Sequence, residues 1–255
     1  MSIKSKRGLP NRIKTISMLA PFMLAGSVQS LEFNIGGIEG SFDSQLSLGS
    51  SWRVESQSDS LLLMPDGNGG ITDNFSNSDD GNRNYQDGDA FSQLFKGSHD
   101  LEFRYQNYGG FVRGKYWYDS ALENNGVDYG HNPTVDRGGL SGTQLDYADS
   151  SGSLDDSGFN DLSKASGVAL LDAFIYGEFD VLDRPLDVRV GKQVVSWGES
   201  TFIRGGVNAI NPIDVNAFVR PGAEIKEGLL PVNMAYANMG LTDNLSMETF
   251  YQLEF

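Results

Sequence analysis

The chain has 255 residues and a formal charge of −15, from 34 Asp and Glu against 19 Lys and Arg. That balance excludes tracking of a phosphate backbone, which needs clustered Lys and Arg, so no nucleic-acid partner is expected. The absence of cysteine excludes disulfides and thiolate metal sites, and two histidines, His99 and His131, give metal or acid–base chemistry little to build on.

The N-terminus differs from the rest. Lys4, Lys6, Arg7, Arg12 and Lys14 precede the mostly apolar run Ile16 to Leu24, and small residues follow, with Val28 and Ser30 at the −3 and −1 positions of a cleavage site. Residues 1–30 therefore read as a signal helix for export, with an amphipathic surface helix as the other reading. The apolar run is short of the ~20 residues that a spanning helix needs. Cleavage after Ser30 removes five positive charges and takes the formal charge from −15 to −20 for residues 31–255. No later segment reads as a transmembrane helix, which leaves a soluble exported protein or a β-barrel, whose spans alternate and escape hydropathy.

Period-two alternation recurs along the rest of the chain, the mark of a strand with one apolar face. Phe42 to Glu55 places Phe42, Leu46, Leu48, Trp52 and Val54 against Asp43, Gln45, Ser47, Arg53 and Glu55. From Asp100, Leu101, Phe103 and Tyr105 alternate with Glu102, Arg104 and Gln106, so that His99 stands at the beginning of the strand. Gly110 to Asp119 sets Val112, Tyr116 and Tyr118 against Arg113 and Lys115, with Trp117 out of pattern. Leu171 to Phe179 alternates less cleanly, and Leu186 to Val195 sets Leu186, Val188, Val190 and Val194 against Asp187, Arg189 and Gln193. Val232, Met234 and Tyr236 mark a weaker sixth strand, and Leu245 to Phe255 a seventh, ending on an aromatic residue.

Connections between these seven predicted strands alternate in length. Ser56 to Ser98, Ser120 to Gly167 and Ser196 to Leu230 are long; Asn107 to Gly109, Asp180 to Pro185 and Leu241 to Asn244 are short. Long loops on one side and tight turns on the other are the outer-membrane pattern, and a soluble β-sandwich has no reason to keep it. Aromatics near strand ends (Trp52, Tyr105, Tyr116, Tyr118, Phe179, Tyr251) suit interfacial girdles. The fold expected is all-β, an antiparallel up-and-down outer-membrane barrel. Seven is odd and single-chain bacterial barrels have even counts. The expectation is therefore an incomplete barrel, a curved open sheet of about seven strands, from a truncated chain.

A barrel of this kind has a wet interior, and Arg53, Glu55, Glu102, Arg104, Arg113, Lys115 and Arg189 are its expected pore-lining residues. The stretch after the fifth strand combines Trp197, Glu199, Arg204, Asn208, Asn211 and Asp214 in a short space. Such a loop folds into the lumen either as a constriction that filters solutes or as a plug that fills space. The Asp/Asn/Gly-rich loops Pro65 to Asp89 and Asp146 to Asp161 invite a calcium reading, but no window has the EF-hand spacing, and an acidic surface loop is the plainer one. Neither histidine lies in a nucleophile motif, and Ser196 in "VVSWGES" is not a nucleophile elbow, so no enzyme, cofactor or metal is expected.

Two stretches, "LEFNIGGIEGSFDSQLSLGSSWRV" and "GKQVVSWGESTFIRGGVNAINPIDVNAFVRPGAEIKEGLLPVNMAYANMGLTDNLSMETFYQ", resemble the bacterial family called domain of unknown function 1302. The likeness covers the N-terminal portion of a longer family pattern. It implies an outer-membrane protein of Proteobacteria, exported and embedded in outer-membrane lipid. By analogy it also implies companions, a periplasmic lipoprotein and an efflux-type permease, and traffic of hydrophobic or other small solutes. It establishes no site residues. A channel or transport component is the function expected; a surface adhesion protein using the acidic loops, or a soluble β-sandwich binding protein, are the alternatives.

Overall fold

The alternation is realised as one antiparallel sheet in a computed structural model, which describes residues 22–25, 29–56, 84–129, 150–198 and 210–254. In chain order the strands are β1 (Phe22–Ala25), β2 (Gln29–Ile35), β3 (Ile38–Trp52), β4 (Ala90–Tyr105) and β5 (Tyr108–Asp119). The short helix α1 (Ser120–Asn124) and the strands β6 (Gly126–Tyr129) and β7 (Ser150–Ser153) follow, the last two pairing only with each other. Then come β8 (Ser166–Val181), β9 (Arg184–Gln193), the helices α2 (Val215–Val219) and α3 (Ile225–Gly228), β10 (Val232–Thr242) and β11 (Leu245–Gln252).

The large sheet runs β3-β4-β5-β8-β9-β10-β11, in chain order with only β6 and β7 left out. β1 and β2 lie end to end along the free edge of β3, Phe22 opposite Ser50 and Gln29 opposite Ser44. Nine strands thus fill eight positions. Among the described residues β11 has no partner beyond β10, and the sheet is not closed.

All seven expected strands are present, and the eighth position corrects the count. β2 crosses the expected cleavage point after Ser30. With eight antiparallel positions the first and last run in opposite directions, so the odd-count case against closure loses its premise. Boundaries also change. β3 ends at Trp52, which leaves Arg53 and Glu55 beyond it, and β4 begins at Ala90, which puts His99 in mid-strand. The first half of β4 breaks alternation because Leu94 points to the polar side, where the chain covers it and buries it.

Four two-residue turns line one edge of the sheet, at 36–37, 106–107, 182–183 and 243–244. Gly36 and Gly37 (φ 62° and 85°) and Leu182 and Asp183 (φ 58° for Asp183) all take left-handed backbone, as in turns whose twist matches that of paired strands. The three long connections leave from the opposite edge, as expected.

Cross-strand partners share a face, so the register sorts the side chains. On one face stand Leu48, Phe95 and Tyr118, then Leu46 and Val168, then Ile175 and Val190. That face is apolar and open, with Val168 83% and Ile175 65% exposed. The other carries Lys96, Lys115, Asp172 and Gln193, all buried, Lys115 to 5% exposure. Burying charge while showing aliphatic side chains inverts the order of a water-soluble fold. Val232, Met234 and Tyr236 belong to the charged side: they share it with Arg189 and, with Val195, form the buried apolar cluster, against which Ile210 and Phe250 pack. Trp117 also lies on the polar side, which explains its place out of pattern. The unclean alternation in β8 is a register slip opposite Val112 and Gly114, where Leu171 and Asp172 are both buried.

Candidate functional site

The polar face is organised in cross-strand rows. Nearest the long connections lies Gly49–Leu94–Asp119, and below it Ser47–Lys96–Trp117 and Gln45–Ser98–Lys115. Asp43–Asp100–Arg113 comes next. Toward the turns follow Ser41–Glu102–Phe111–Phe174 and Glu39–Arg104, the latter continuing through Tyr176 and Arg189 to Tyr236.

A strap formed by residues 211–230 covers the upper rows. Its base is tied to the end of β9 by the buried Asn211: Oδ1 accepts from the Val195 amide at 3.0 Å, and Nδ2 donates to the carbonyls of Gln193 (3.3 Å) and Leu230 (2.9 Å). Its two limbs are joined by an Ile213–Leu229 bridge and by the Leu230 amide donating to the Pro212 carbonyl at 2.9 Å. Asp214 caps α2, its Oδ1 accepting from the amides of Asn216 and Ala217.

The far end of the strap reaches β3, β4 and β5. Lys96 Nζ donates to the Gly222 carbonyl and to Glu227 Oε1, both at 2.6 Å. Lys115 Nζ lies 3.3 Å from the Glu227 carbonyl and 3.7 Å from Asp214 Oδ2. Gln45 hydrogen-bonds Glu224. Arg220 stacks 4.5 Å above the Trp117 ring and donates to the carbonyls of Leu162 and Lys164. Burial lowers the Arg220 guanidinium from its ordinary value, while Asp214, Glu227 and Asp119 oppose that shift. Gly49 permits the approach: a Cβ there would stand 2.6 Å from Pro221 Cβ.

Below the strap, Arg113 makes a bidentate pair with Asp100 (2.7 and 2.6 Å) and lies 3.6 Å from Asp172. Arg104 pairs with Glu178, and Tyr176 Oη donates to Glu102 at 2.7 Å. Arg189 sits over the rings of Tyr236 (4.4 Å) and Phe174 (5.9 Å). Two open cavities adjoin these groups, about 680 Å³ beside Glu32, Glu39 and Arg104, and about 380 Å³ beside Phe111, Phe174 and Arg189.

Five of the expected lining residues, Glu102, Arg104, Arg113, Lys115 and Arg189, share this face. Arg53 and Glu55 do not: they follow β3, where Arg53 donates to the carbonyls of Glu55 and Tyr85 and braces the connection. Asn211 and Asp214 are in the strap, and Trp197 packs edge-on against Phe250 at 5.1 Å. Glu199, Arg204 and Asn208 lie outside the described residues, as do His131, Phe255, residues 1–21 and most of the first acidic loop.

Sequence reasoning missed Lys96, Glu227, Arg220 and the buried carboxylate Asp172. Lys96 shares parity with Ser98, Asp100 and Glu102, so a longer β4 reveals it. His99 sits on the apolar face between the rings of Phe42 and Tyr116, its Nδ1 2.8 Å from Ser44 Oγ. No group of three or more His, Asp or Glu among the described residues is placed to hold a metal ion. No described helix is long and apolar enough to cross a membrane, which says nothing of crossing by strands.

A family model described as "Protein of unknown function (DUF1302)" matches residues 12–255, nearly the whole chain, in agreement with the resemblance read from its two quoted stretches. Comparison with curated proteins and with solved structures gave no match.

Proposed function

We propose that this chain, which belongs to the DUF1302 family, is an outer-membrane β-barrel protein that passes small solutes through a lumen narrowed by the strap. One observation carries the reading: a continuous apolar face with aromatic ends backs onto a face of buried charge. On the apolar face Tyr118 and Tyr108 stand ten residues apart on β5, close to Trp52 and Phe95 at one end and to Phe179 at the other. Ten residues at ~3.4 Å make ~34 Å along the strand. Tilted by ~40°, that is ~26 Å along a membrane normal, against an apolar band of ~25 Å in such barrels. Tight turns on one edge and long connections on the other support the same reading.

Among the described residues no second layer covers the apolar face, as a soluble sandwich needs. A bilayer offers no water to unpaired strand edges, which cost several kcal/mol per group, so β2 and β11 must meet partners there. Each other, strands of another copy or further chain would serve. The strap turns Ile213, Val215, Phe218 and Val219 away from the wall, all exposed, which favours apolar solutes at the narrowing. Outer-membrane lipid is the first partner; a periplasmic lipoprotein and an efflux-type permease remain proposals from family analogy.

Fractionation of cells expressing the native gene is the test. Recovery in the outer membrane with a heat-modifiable gel band, and channel activity in planar bilayers, are expected. Recovery in the soluble periplasm would falsify the reading.

A further inference from the structure

We infer that the strap is a hinged gate, fixed at its Asn211 base and released at the far wall by breaking the contacts of Lys96, Lys115 and Arg220. The inference rests on the pore reading and adds its regulation.

The two ends of the strap are held by different means. At the base, the Asn211 amide joins three backbone groups on two chain limbs, and the Ile213–Leu229 bridge closes the limbs on each other. These are uncharged, mutually supporting bonds beside β9 and β10. From β10 to β4 there are four strand steps, ~19 Å at ~4.8 Å each. Toward β5 and β4 the attachments become charged: Asp214 toward Lys115, Glu227 to Lys96, and Arg220 over Trp117.

Apolar packing at the far end is confined to the buried Pro221 over Gly49. In α2 only Ala217 is buried, and Val219 is 76% exposed. A space-filling plug would put its aliphatic side chains against the wall; this segment puts its charges and carbonyls there. Pro221 resting on Gly49 is a close contact, but the glycine gives it no side chain to interlock with. Gly222, in left-handed backbone at φ 71°, lies where the chain turns back. The far end can therefore lift when its polar contacts exchange for water and ions, while the base keeps its bonds. Lifting opens the rows from Gly49 to Lys115 to the lumen.

The absence of cysteine makes the test direct. The full chain carrying Gln45→Cys and Glu224→Cys would be reconstituted in planar bilayers and bridged by a short, reducible thiol crosslinker. A second variant, Pro212→Cys with Leu230→Cys, bridges the base, where the Leu230 amide donates to the Pro212 carbonyl. Bridging at 45 and 224 is expected to lower the mean conductance several-fold, with recovery on reduction; bridging at the base is expected to leave it unchanged. Glu227→Gln, without crosslinking, is expected to raise the open fraction several-fold. Equal conductance with the far end bridged and unbridged overturns the gate and leaves the pore reading standing. No conductance in any form overturns the pore reading and the gate with it.

Discussion

Lys96 and Glu227 stand 131 residues apart in sequence and meet through Nζ and Oε1 at 2.6 Å, where neither side chain is more than 13% exposed. The pair joins β4, the third of the sheet's eight positions, to the segment between β9 and β10. Removing one partner leaves a buried charge uncompensated, which typically costs about 3–5 kcal/mol, whereas replacing both with apolar groups is often neutral. Lys96→Met or Glu227→Met alone should lower the urea unfolding midpoint of the folded protein, and the double variant should recover most of the loss. Additive single and double effects would show that the pair is not coupled.

The apolar face offers a sharper contrast. Leu170 pairs with Gly114, which pairs with His99, midway between the aromatic ends. An arginine on a lipid face near the midplane costs about 2–4 kcal/mol. Leu170→Arg should therefore reduce folding into bilayers, scored by the heat-modifiable band. Glu102→Arg, on the other face, should fold as the parent does. In a water-soluble protein an exposed Leu170→Arg would be harmless.

A wedge separates steric from ionic hold on the strap. A side chain at Gly49 has no room beside Pro221, so Gly49→Val should displace the far end without touching Lys96 or Glu227. Higher conductance than the parent is expected in planar bilayers. Unchanged conductance would mean that the strap does not limit flow.

Charge in the lower rows sets an expected ion preference. The rows through Glu102, Arg104 and Glu178 hold six carboxylates (Glu32, Glu39, Glu102, Glu178, Asp187, Glu248) against two guanidiniums (Arg104, Arg189), a net −4. Rings of acidic side chains favour cations. The reversal potential in a KCl gradient should report cation preference, weakened by Glu39→Gln with Glu102→Gln. A chloride-selective current would show that the paired bases dominate the field.

The strands were legible where one face is apolar and the other wet, as in β9 and β11, because a two-residue period survives only under that condition. It fails in β4 before Asp100, where the strap holds Lys96 and Leu94 is buried on the same side, so that a mixed pattern is favoured. It misleads in β10, where Val232, Met234 and Tyr236 fill the side shared with Arg189. The basic half of the site could be read from single strands, since Arg104, Arg113 and Lys115 lie within them. Asp214 was legible as part of a loop that folds inward, but Glu227 and Arg220 were not, because they reach the sheet by tertiary contact alone, for which a single sequence has no period.

The most direct measurement asks which face meets lipid. Single cysteines at Val168, Leu170 and Ile175, and at Glu102, Arg104 and Asp187, would carry a fluorophore in the reconstituted protein, with quenchers confined to lipid or to water. Quenching from lipid at the first three and from water at the last three is the expected result. Equal quenching from water at all six would contradict a membrane-spanning sheet, and the pore and its gate with it.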